Sequence, residues 1–192
     1  EFVVNVTTNN TKPDRGYEIG SLTSNPEKIK ITGPTSLINK IDKVNASIDV
    51  DGATEDITTE KDVKIIDKNG EEFTDSDMSY LNVSRVYVTA KLWKVQADVK
   101  IKAGYSGSPK SGYQVESVST TPNVVSVAGS EEALAALKEQ NNTITIPDYV
   151  ADISDRDSDF EEKINISDYL PDGLKLTSDS SEDMFIRVNV LP

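Results

Sequence analysis

Residues 16–41 read GYEIGSLTSNPEKIKITGPTSLINKI, and residues 112–137 read GYQVESVSTTPNVVSVAGSEEALAAL. At one fixed offset of 96, with no gap, Gly16, Tyr17, Ser21, Pro26 and Gly33 recur as Gly112, Tyr113, Ser117, Pro122 and Gly129. A chain that repeats itself at such a period is built of repeated folding units, each with its own apolar face to bury. At 192 residues, two small domains fit the spacing better than one large one.

The shared stretch predicts its own local structure. Tyr17 and Ile19 alternate as one face of a strand, and Leu22 then falls out of phase; Tyr113, Val115 and Val118 break phase at the same place. One extra residue in a strand, a bulge, has that effect. Pro26 and Pro122 mark entry into a second strand, Ile29 and Ile31 or Val125 and Val127, because proline cannot donate to a ladder. After Gly33 and Gly129 the apolar period lengthens from two to about three, through Leu37, Ile38 and Ile41 or Leu134 and Leu137, which predicts a short helix. Pro34 is suited to a first helical turn, and Ser130 to a cap with Glu131 and Glu132 at the positive end of the helix dipole. Ile48 and Val50 then answer Ile144 and Ile146 as a further strand.

Beyond about residue 57 the register drifts. Asn69-Gly70 predicts a two-residue hairpin turn, with Pro171-Asp172-Gly173 as its expected counterpart. Both copies finish on alternation, Val86-Val88-Ala90 and Ile186-Val188-Val190, and a strand at Val95–Ile101 opens the second copy as residues 2–6 open the first. No Pro/Gly/Ser-rich linker separates them, so nearly continuous strand is expected to join residues 1–92 to residues 93–192, with Trp93 at the junction. Units of this size bury thin cores, which predicts an elongated arrangement.

Composition excludes several functions. The net charge is −13, with 12 basic against 16 acidic residues in 1–96 and 8 against 17 in 97–192. Nucleic acid is therefore not an expected partner, since phosphate backbones are held by clustered Lys and Arg. Cysteine and histidine are absent, which removes disulfides, thiol nucleophiles and the usual near-neutral acid/base group. No stretch approaches the ~18 apolar residues of a membrane span. Glu1–Val6 reads as a strand already in progress, so the chain is expected to be part of a longer protein.

The residues quoted above resemble the YbbR domain, a small β-rich extracellular repeat of bacterial envelope proteins. The likeness lies in Gly-Tyr before an alternating strand, a proline before the next, then Ile29-Lys30-Ile31-Thr32-Gly33-Pro34 and Val125-Ser126-Val127-Ala128-Gly129-Ser130, and the I-x-V/I strand after the helix. It implies a mainly β fold of two tandem YbbR domains, each with one short helix. More narrowly, the tandem is similar to the extracellular part of membrane-anchored regulators of a diadenylate cyclase. That implies a non-enzymatic module affecting cyclic di-AMP synthesis from the outer face of a Gram-positive cytoplasmic membrane. Its partner would be a membrane diadenylate cyclase, reached through an anchor preceding Glu1. The alternative is a domain that binds, or acts as a spacer to, a cell-wall or surface polymer.

Individual candidates for chemistry are weak. Asp148, Asp152, Asp155, Asp157, Asp159, Glu161 and Glu162 form an acidic run. A calcium loop starting at Asp155 would need glycine where Phe160 stands and a bidentate acid where Ile166 stands, so a solvated loop is expected instead. Carboxylate pairs suit glycoside hydrolysis only beside an aromatic-lined cleft, which one Trp, seven Tyr and four Phe do not promise. Tyr17 and Tyr113 are expected to pack on neighbouring strands, and Gly33 and Gly129 to serve a strand-to-helix turn rather than a phosphate. Asn-x-Ser/Thr triplets at Asn5, Asn9, Asn45, Asn82, Asn141 and Asn165 are read as accidents of composition. No catalytic, cofactor or metal residues are assigned.

Overall fold

The computed structural model describes residues 1–192. The chain is mainly β and divides into two compact units, Glu1–Leu92 and Trp93–Pro192. None of its helices is long and apolar enough to cross a membrane.

In chain order, the first unit contains β1 (Phe2–Thr7), β2 (Tyr17–Asn25), β3 (Lys28–Ile29), α1 (Thr35–Ile38), β4 (Ile41–Ser47), β5 (Ile57–Lys61), β6 (Lys64–Asp67) and α2 (Asp75–Ser79). It ends within β7 (Val86–Ala103), an 18-residue strand whose later half belongs to the second unit. One sheet runs β3-β1-β4-β6, and β2 and β5 both pair with β7. Val4, Ile29, Val44, Ile65, Val86 and Val88 meet in the core, each on the inward side of its strand.

The second unit continues with β8 (Gln114–Thr121), β9 (Val124–Gly129), α3 (Glu131–Glu139), β10 (Thr143–Ile146), β11 (Phe160–Asn165), β12 (Leu174–Leu176) and β13 (Asp183–Leu191). Short 3-10 turns occupy Asp148–Val150 and Ile166–Tyr169. Here the order is β10-β7-β9-β12 in one sheet and β11-β13-β8 in another. Val99, Ile101, Val127, Ile144, Met184, Ile186 and Val188 form the core.

Strand pairing supplies the correct alignment of the copies. Val3 pairs with Lys28 and Lys100 with Val124, which makes Val4 and Ile101 equivalent. Val4 pairs in parallel with Val44, and Ile101 with Ile144. The partners of Ile144 and Ile146 are thus Val44 and Ala46, not Ile48 and Val50 as the alternation suggested. The offset grows by four residues because α3 runs one turn longer than α1, an α-helical turn being ~3.6 residues. Ile41, expected in the helix, opens β4. Ile48 and Val50 correspond instead to Ala151 and Ile153, three further residues having entered as the turn Asp148–Val150.

The predicted phase break is a bulge in the second copy: Asn189 faces Ser117 and Val190 faces Val115, leaving Glu116 unpaired. The bonds before Pro26 and Pro122 are both cis, closing the turns from β2 to β3 and from β8 to β9. The first unit has a second helix, α2, that apolar periodicity did not reveal. A reciprocal capping box starts it, Asp77 N–H donating to Thr74 Oγ1 at 3.1 Å and Thr74 N–H to Asp77 Oδ2 at 3.3 Å.

Candidate functional site

The middle of the acidic run is a structural segment held by backbone pairing. Residues 151–156 lie alongside 106–110 through Ser106 N–H to Ala151 O, Ile153 N–H to Ser106 O, Asp155 N–H to Ser108 O and Lys110 N–H to Arg156 O. Asp152 Oδ1 accepts from Ser154 N at 3.0 Å and from the Ser154 hydroxyl at 2.6 Å; those bonds hold its carboxyl below the usual carboxylate range. Asp157 pairs with Lys110 at 3.3 Å, and the Arg156 guanidinium stands 4.7 Å from the Phe160 ring centroid. No three carboxylates converge as metal ligands.

The same devices stand in the first copy. Asp49 Oδ1 accepts from Asp51 N at 2.9 Å, as Asp152 does from Ser154, and Gly52 (φ 67°) occupies the left-handed position of Asp155 (φ 57°). The apparent start of a calcium loop is therefore a turn that the first copy makes with glycine.

Asp159 closes the sheet. Its Oδ1 accepts from Val190 N–H at 2.9 Å and its Oδ2 from Arg187 at 3.0 Å, so its carboxyl too is held below the usual range, first by the backbone bond. Asp56 accepts from Leu92 N–H at 2.8 Å in the first unit. Ile57 faces Ala90 and Phe160 faces Val188, so in each copy an Asp just before the strand replaces the carbonyl that the ladder lacks one step further on. Arg187 also donates to Asn189 at 3.0 Å, and Asn189 to the Ser117 hydroxyl at 2.9 Å, tying Asp159 to the bulge. Ser117 is one of the five repeated residues.

Gly33 and Gly129 owe their identity to crossing leucines. A Cβ on Gly33 would overlap Leu81 and come within 3.0 Å of Tyr80 O; one on Gly129 would overlap Leu174 and come within 3.1 Å of Gly173 O. Thr32 bridges Asn82 as Ala128 pairs with Lys175, so Leu81 and Leu174 are equivalent. This corrects the expected match of the turns. Pro171-Asp172-Gly173 corresponds to the end of α2, while the Asn69-Gly70 turn belongs to an excursion that the second copy lacks. Tyr113 packs partly onto its core, and Trp93 is half-buried.

One concave feature recurs in both units. In the first, Val3–Val6 of β1, Leu22–Ser24 of β2 and Glu27 line a groove of about 320 Å³. In the second, Lys100–Ala103 of β7, Val118–Thr120 of β8 and Asn123 line one of about 510 Å³, with Thr143 added. All eight lining positions of the first groove recur in the second. Their chemistry does not: Val3, Asn5 and Glu27 are replaced by Lys100, Lys102 and Asn123. The sequence reading passed over both lysines, although the opening strands at an offset of 97 show Val3 and Asn5 giving way to them.

Comparison with known proteins agrees with the duplicated architecture. The family model described as YbbR-like protein matches residues 4–90 and again residues 98–190. The CdaA regulatory protein CdaR of Bacillus subtilis (strain 168) is 30% identical over 184 residues, covering 94% of this chain but 35% of that protein's length. Among solved structures, a YbbR-like protein from Streptococcus pneumoniae TIGR4 is 17% identical, covering 100% of this chain and 92% of that one, with a TM-score of 0.36. The two matches to the family model span nearly all of both units, and the chain belongs to the YbbR-like family as two tandem copies of its domain.

Proposed function

We propose that these two domains are a non-enzymatic extracellular module of a membrane-anchored regulator of cyclic di-AMP synthesis, acting through a CdaA-like diadenylate cyclase. The observation that carries this reading is the 30% identity, over 184 residues, to a protein described as the regulatory protein of CdaA. The geometry of the acids supports a non-enzymatic role. Asp56, Asp159, Asp49 and Asp152 are engaged by backbone amides at matching places in both copies, which is the pattern of a scaffold rather than of paired acid and base.

In the full-length protein, contact with the cyclase would run through a membrane anchor preceding these domains, leaving the domains at the outer face of the membrane. The test is to delete residues 1–192 in frame from the full-length protein in its own bacterium and measure cyclic di-AMP with and without envelope stress. A changed level or a lost stress response is expected. An unchanged level under every stress overturns the regulatory reading. Saturable retention of the purified chain on peptidoglycan would then favour a wall-binding module.

A further inference from the structure

The two grooves are bounded by strand edges that lack a partner. In β7, Lys100 N–H donates to Asn142 O on the β10 side, and Ile101 N–H donates to Asn123 O on the β9 side. Backbone groups alternate sides along a strand, so Ala103 N–H and C=O point to the β9 side. There β9 has already ended: it begins at Val124, opposite Lys100, and Ala103 pairs only with Ile146 of β10. Across the groove, β8 is the outer strand of its sheet. The cis turn at Pro122–Asn123 closes one end.

Charge then distinguishes the grooves. The second contains Lys100 and Lys102, both exposed and neither in an ion pair, and has no acidic residue in its lining. The first contains Glu27 and no basic residue. This reversal occurs in the more acidic half of the chain, where 8 basic residues stand against 17 acidic ones in 97–192. Two unpaired lysines two residues apart on one strand present charge at the repeat of an extended peptide, whose alternate side chains share a face.

We propose that the groove of the second unit takes an extended acidic peptide segment of a partner protein, its backbone pairing with Ala103 where β9 has ended. Backbone pairing at Ala103 supplies the register, and Lys100 and Lys102 select carboxylates at alternate positions. The proposal is independent of the cyclase reading, since it concerns only what this groove binds.

The probe is a blocked Glu-Val-Glu-Val-Glu peptide titrated into the 192-residue chain, followed by anisotropy and by backbone amide resonances. Saturable binding is expected, with shifts and exchange protection at Ala103 and none at Val6, its first-unit counterpart. Joint replacement Lys100→Gln and Lys102→Gln should weaken binding tenfold or more. A peptide with the same charges but alternate backbone nitrogens methylated should bind at least tenfold more weakly, a comparison that needs no protein variant. Equal affinity for Lys-Val-Lys-Val-Lys, or no saturable binding, overturns the proposal. So does sodium triphosphate or an anionic lipid vesicle binding with the same lysine dependence while the acidic peptide leaves Ala103 unmoved.

Discussion

The first unit and the second share their inner strands and differ in where they carry extra chain. Eighteen residues lie between Val63 and Asn82, whereas eight lie between Ile166 and Lys175. The first unit uses its surplus for β6, the Asn69-Gly70 turn and α2. The second places extra residues in α3 and in the turn Asp148–Val150. What stays constant are the positions where packing or an unpaired backbone group leaves no choice: the glycine under a crossing leucine, the Asp that ends the ladder, the cis turn into the next strand. Surface loops diverge because their backbone is solvated and lengthening them costs little.

That comparison can be broken most severely at the cores. Val88 and Ile186 are equivalent and fully buried. Ile186→Ala should destabilise the second unit by about 2–5 kcal/mol, through lost burial and a residual cavity. In urea unfolding followed by residue-resolved NMR, signals of residues 93–192 should shift midpoint while those of residues 1–92 hold theirs. A single transition moving for both would refute two separate cores.

The glycines come next. Gly33→Ala and Gly129→Ala should each cost about 1–3 kcal/mol, as overpacking does, and by similar amounts because Leu81 and Leu174 occupy the same place. Trimming the leucine in the double variant Gly129→Ala/Leu174→Ala should cost less than the sum of the two single changes. Full additivity in thermal melts would mean that the glycine has another reason.

Caps should separate the units by a smaller margin. Ser130 accepts from Ala133 N at 3.2 Å, whereas Pro34 offers α1 no side-chain cap. Ser130→Ala should therefore cost about 1 kcal/mol, and Pro34→Ala should leave the midpoint of the first unit nearly unchanged. Equal effects would remove the distinction between the two helix starts.

The smallest effect is one of pH. The carboxyls of Asp152 and Asp159 titrate below their ordinary value in the folded chain, so their contribution is present in full above the unfolded carboxylate pKa of about 3.9. It is lost as pH falls through their lower folded values. Acid titration of the Asp152→Asn/Asp159→Asn variant should show a second unit less stable at neutral pH and less sensitive to acid below pH ~4. An acid limb parallel to that of the parent chain would exclude these two groups as its source.

The repeated glycine, tyrosine and proline, with alternation on either side, were enough to read two β-rich copies and their family. Val115 and Val118 falling out of phase located the bulge. The strand after each helix was misaligned because Ile48-x-Val50 and Ile144-x-Ile146 carry the same pattern, and a one-turn change in helix length is invisible to a period-two signal. Helix α2 escaped for a related reason: Asp75–Ser79 is polar apart from Met78, and its capping box, not an apolar stripe, makes it a helix. The acids looked like a single constellation because they are neighbours in the chain, yet Asp152, Asp157 and Asp159 are tied to three different partners, Ser154, Lys110 and the Val190–Arg187 pair.

By itself the amino-acid sequence determined the number of units, their β character and their kinship, since periodicity, turn residues and a fixed repeat offset are local properties that survive without knowledge of contacts. Only the tertiary structure decided which residues are equivalent beyond the helix, why Gly33 and Gly129 must be glycine, and that Lys100 and Lys102 line the groove that Val3 and Asn5 line in the other copy. Those facts depend on which strand lies beside which, and pairing between residues distant in the chain is set by the packed core rather than by any stretch of sequence read alone.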